Sequence, residues 1–156
     1  MKRVLIYITG ILLITGLEIS PFRSTDVGKL LPVELVRVSQ GPEGIRLETD
    51  TGNAGAGEDV AAALKDLKAT ASGTVFLDTA DYLLVVPGAE SVLQELTRYL
   101  RPTCGLCLEN GEADLEDAAE FLRAHEPNTN LQAWQIGERG IPLLSTEKER
   151  MKLVQS

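Results

Sequence analysis

The sequence predicts a mixed α/β fold: an N-terminal membrane anchor, then a single domain with one mixed β-sheet and about three helices. Three observations carry this. Segments with strand patterning alternate with amphipathic helical segments, the order that gives parallel or mixed pairing in one sheet. Tyr82–Val86 is a continuous apolar run, as expected of a central strand covered on both faces. Val4–Leu17 is apolar and follows the basic pair Lys2 and Arg3.

Taken in order, the first element is Val4–Phe22. A basic start followed by an apolar run is the pattern of a signal peptide or signal anchor. A span needs about 20 apolar residues. Extended to Phe22, with Glu18 hydrated at the interface, the segment reaches that length. No Ala-x-Ala site follows, and Pro21 sits where a cut would fall, which favours retention over cleavage. The positive-inside rule keeps the N-terminus cytoplasmic and places residues 23–156 outside the cytoplasm. No cysteine follows the run, so it carries no lipid-attachment site.

Residues 23–31 are a connector. Pro32–Ser39 reads as a strand through Val33, Leu35, Val36 and Val38. Gly41-Pro42-Glu43-Gly44 is a turn. Ile45–Thr49 alternates apolar and polar residues as a half-buried strand, which completes an antiparallel hairpin. Asp50–Gly57 reads as a Gly-rich loop. Glu58–Thr70 is a helix with Val60, Ala63, Leu64 and Leu67 on one face. Val75–Leu77 is a short strand or a lead-in to Tyr82–Val86. Glu90–Leu100 is the second helix, stopped by Pro102. Thr103–Glu109 is a strand. Asp114 is a suitable N-cap for a third helix ending near Ala124. Leu131–Ile136 reads as a strand, and Ile141–Leu144 with Met151–Val154 as a closing hairpin.

The chain has 156 residues, which after the anchor suits one domain. Its apolar fraction of 44% supports an ordinary core, and with 4% aromatics that core is aliphatic. The net charge of −8 repels phosphate backbones and argues against nucleic-acid binding.

Candidate chemistry is sparse. Cys104 and Cys107 form a C-x-x-C, but on a predicted strand rather than at a helix start, where a dipole would lower a thiol pKa. The readings are structural cysteines, a disulfide or redox pair, or two ligands of a metal site with the lone histidine, His125. Asp50-Thr51-Gly52 is the tripeptide of aspartic proteases, with a near match at Asp78-Thr79-Ala80. That chemistry needs two carboxylates sharing a proton, which a dimer would supply; a turn leaving a strand explains the tripeptide equally. Gly52–Gly57 precedes a helix in the manner of a phosphate cradle, yet Glu58 and Asp59 occupy the anion position. His125 reads as a helix C-cap and Trp134 as core. No catalytic residue, metal or cofactor is expected.

A family resemblance adds to this reading. Phe22–Val33 resembles the aromatic, polar, acidic, then apolar entry into the first strand of the N-terminal domain of Ger(x)C proteins, the C subunits of bacterial spore germinant receptors. Ala61–Leu64, Tyr82–Val86 and Gly111–Leu122 resemble that domain's following helix, strand and helix. The likeness covers most of residues 22–136. The family's lipobox cysteine and later domains have no counterpart. The resemblance implies a truncated, membrane-tethered relative in spore germination or sporulation that docks on other membrane proteins. It carries over no enzymatic residues. The expected function is a non-enzymatic extracytoplasmic binding or adapter domain. An exported thiol–disulfide protein and a dimeric aspartic hydrolase are the alternatives.

Overall fold

The computed structural model describes residues 30–147 and 150–155. The expected anchor, Val4–Phe22, lies outside these residues. Among the described residues no helix is long and apolar enough to cross a membrane.

Among the described residues nine strands form: β1 (Leu30–Pro32), β2 (Leu35–Gly41), β3 (Gly44–Thr49), β4 (Ala54–Gly57), β5 (Thr74–Phe76), β6 (Tyr82–Val85), β7 (Gly105–Asn110), β8 (Leu143–Glu147) and β9 (Arg150–Val154). The helices are α1 (Val60–Thr70), α2 (Leu93–Leu96), α3 (Leu115–Ala124) and α4 (Leu131–Gln135). Seven strands build one mixed sheet in the order β4-β3-β2-β6-β7-β8-β9. β2, β6, β7 and β8 run parallel in its centre, and antiparallel pairs flank them on both sides. β1 and β5 form a separate parallel pair.

Side-chain alternation divides the core into two layers. Val36, Val38, Leu83, Val85 and Leu106 meet α1, α2 and α4 on one face. Leu35, Leu84, Cys107 and Leu144 meet α3 on the other. The central run Leu83-Leu84-Val85 is therefore buried throughout, as its sequence requires.

The predicted hairpin is β2–β3, turned at Gly44, whose φ of 109 favours glycine. The first predicted helix is α1; Asp59 caps it by accepting the Ala62 N–H at 2.7 Å. Asp114 likewise accepts the Glu116 and Asp117 N–H groups at the start of α3. The expected helix at Glu90–Leu100 is shorter: a 3-10 turn over Glu90–Val92 leads into α2, which ends at Leu96. Thr97 folds its hydroxyl back onto the Gln94 carbonyl at 2.8 Å, a local bond that competes with helix continuation.

Two expectations are corrected. Ala54–Gly57 is a strand rather than loop, because α1 lies directly on it. A Cβ at Gly55 would sit 2.2 Å from the Leu67 nitrogen and 2.4 Å from the Ala63 oxygen. Only glycine permits that approach, so the residues that suggest a loop are those that admit the helix. Leu131–Gln135 is a helix rather than a strand. Asn130 caps it by accepting the Ala133 N–H at 2.8 Å, and Leu131 and Trp134 turn to the core at helical spacing.

Candidate functional site

Asp50 follows β3 in the turn to β4. Its carboxylate accepts the Glu34 N–H at 3.2 and 3.3 Å, and its own N–H donates to the Leu35 carbonyl at 3.2 Å. It thus ties this turn to the entrance of β2. Burial pushes the Asp50 carboxyl above its usual range, opposed by the backbone bonds it accepts and reinforced by the charge of Glu34. Asp50 opens onto a cleft of about 630 Å³ against α3, lined also by Glu34, Glu116, Glu120 and Arg123. Glu34 and Arg123 form an ion pair across it. Asp78, the centre of the near match, lies in a 3-10 turn and lines a different cleft. The two carboxylates of the tripeptide argument are therefore not brought together within one chain.

Cys104 and Cys107 are both free and buried. Cys104 packs with the layer under α2 and α4, while Cys107 packs with the layer under α3. Residues three apart on an extended chain point to opposite faces, and this pair does so. Burial pushes each thiol up to about 12, so neither supplies a thiolate near neutral pH.

His125 ends α3. Its Nδ1 lies 3.1 Å from the Phe121 carbonyl, and its ring stacks on Phe121 with centroids 4.4 Å apart. It lines the groove beside β9. Among the described residues no group of three or more His, Cys, Asp or Glu side chains could hold a metal ion. Trp134 packs half-buried against the core. At Gly52–Gly57 the helix start is occupied by its own Asp59, leaving no anion cradle.

One polar cluster was not foreseen. Glu109, 2% exposed, sits near the carboxyl end of β7 and accepts a bond from Arg37 Nε at 2.8 Å. Its other oxygen accepts the Ala113 N–H at 3.0 Å. Arg37 also faces Glu48 on β3 at 3.6 Å. The cluster therefore crosses β6 and joins β3, β2 and β7 on one face. A cleft of about 290 Å³ adjoins it. Open α/β sheets bind ligands outside the carboxyl ends of their strands, but here the charges already satisfy one another. Only an acid interrupting the apolar strand at Glu109 marked it in the sequence; its partner required the register.

A concavity of about 810 Å³ runs along β8 and β9, lined by Ser145, Glu147, Arg150, Met151, Lys152 and Val154. A second groove of about 420 Å³ lies beside β9 against α3; it shares Met151 and Lys152 with the first and is lined also by Phe121, His125, Glu126 and Leu153. β9 thus borders both recesses.

Compared with known proteins, the chain matches no family model, no curated protein and no solved structure.

Proposed function

We propose that this chain acts by binding rather than by catalysis, as a domain held at a membrane surface by Val4–Phe22 and docked on membrane proteins. The observation that carries this reading is the dispersal of its reactive side chains. The Asp50 carboxylate holds backbone, the two thiols fill separate core layers, and the imidazole stacks at a helix end. Tethering raises the effective concentration of such a domain near membrane partners, so modest contacts suffice. The resemblance to the N-terminal domain of germinant-receptor C subunits supports multi-span receptor subunits as those partners, and spore germination or sporulation as the setting.

The test is purification of the tagged full chain from detergent-solubilised membranes of its own cells, read by mass spectrometry. Recovery together with multi-span receptor subunits is the expected result. Recovery from the soluble or secreted fraction alone, or from membranes without partners, overturns the tethered adapter.

A further inference from the structure

We propose that the exposed edge of β9 receives an extended strand of a partner protein whose residues alternate acidic and apolar. This rests on the binding reading above and names its surface. β9 ends the sheet, and among the described residues its backbone is paired only with β8. A strand in that position offers unpaired N–H and C=O groups to another extended chain.

The two sides of the edge ask for different chemistry. Arg150 and Lys152 share one side, exposed, above the larger recess. In register, Glu147 already stands opposite Arg150, while only Ser145 stands opposite Lys152. Cations in these places favour acids on the incoming strand. Met151 and Leu153 point to the other side, half-buried against the α3 layer, beside the groove that Phe121 also lines. The incoming residues between the acids would lie here against Met151 and Leu153, which favours apolar ones. The side-chain period of two in a strand converts these faces into one sequence pattern: acid, apolar, acid, apolar.

A second copy of β9 fits poorly. Paired antiparallel about Lys152, it would set lysine directly against lysine, an unfavourable arrangement.

The experiment titrates the purified full chain, in mild detergent, with a labelled eight-residue peptide of alternating Glu and Val. A Lys–Val peptide serves as control. Binding is followed by fluorescence anisotropy and by amide exchange over residues 150–154. Saturable binding of the Glu–Val peptide with protection of β9 is expected, and Arg150→Glu with Lys152→Glu should weaken it about tenfold or more. The same double variant should gain affinity for the Lys–Val peptide, which a merely misfolded edge would not. No binding, protection elsewhere, or an unchanged affinity in the double variant overturns the proposal. So does concentration-dependent protection of β9 without peptide, which would place a second copy there. Should membrane partners still co-purify with the double variant, the edge assignment falls and the adapter reading stands.

Discussion

The two borders of the seven-stranded sheet are finished in different ways. At β4 the outward backbone groups are taken by the protein's own helix. Asp66 of α1 accepts the Ala56 N–H at 3.0 Å, and the Thr70 hydroxyl donates to the Ala54 carbonyl at 2.9 Å. The helix sits close enough to do this because Gly55 and Gly57 leave room. At β9 no helix intervenes among the described residues; exposed Arg150 and Lys152 stand there instead. The first border is closed by structure: two of its backbone groups are already bonded to α1. The second is guarded by charge, which excludes only partners of the wrong sign.

The largest effect should come from breaking the closed border. Gly55→Val forces side-chain atoms into the α1 backbone and should cost about 3 kcal/mol, the upper part of the range for forced overpacking. Denaturant unfolding measures it; a loss below about 1 kcal/mol would mean that α1 can lift without penalty. Removing the two side-chain bonds while keeping the helix in place should do less. Asp66→Ala and Thr70→Val should each cost about 1 kcal/mol or less, and amide exchange at Ala56 should accelerate. Unchanged exchange there would show that burial, rather than Asp66, protects this edge. The smallest effect on stability belongs to the charged border. Arg150→Thr with Lys152→Thr should shift unfolding by no more than about 0.5 kcal/mol. The same variant should self-associate with rising concentration in sedimentation, because its guard is gone. A strictly monomeric double variant would deny these cations that role.

This contrast was only partly legible in the sequence. Alternation in Ile45–Thr49, the apolar face of α1, the unbroken run at β6 and the Asp114 cap each state their local structure, and the structure has them. The closing hairpin was legible in part: it was expected as Ile141–Leu144 with Met151–Val154, and its strands run Leu143–Glu147 and Arg150–Val154. Ala54–Gly57 was not, since a strand that exists to admit a helix has no large side chains to display its period. Leu131–Gln135 was not either: a five-residue helix is too short to separate its spacing from a strand's alternation, and Asn130 is its main signal. Asp50 was visible as a candidate, but its bond to the Glu34 backbone depends on which strand lies beside it. The pairing of Arg37 with Glu109 depends on β6 lying between them. Which strand ends the sheet is likewise a fact of topology, beyond any local pattern.

The mixture of parallel centre and antiparallel flanks also has a consequence for how the chain reaches this state. β2–β3 and β8–β9 join segments that are neighbours in the chain, whereas Leu35 meets Tyr82 across the stretch that holds β3, β4, α1 and β5. Loop closure makes the first kind of contact quick and the second slow. Chain separation therefore predicts that these hairpins form before the parallel seams, of which β2–β6 spans the most chain. During that interval the edge strands are formed while the apolar residues of β6 still lack their neighbours. Charged residues on β9 are thus useful to the nascent protein as well as to the finished one, holding an early, half-built edge apart from others like it.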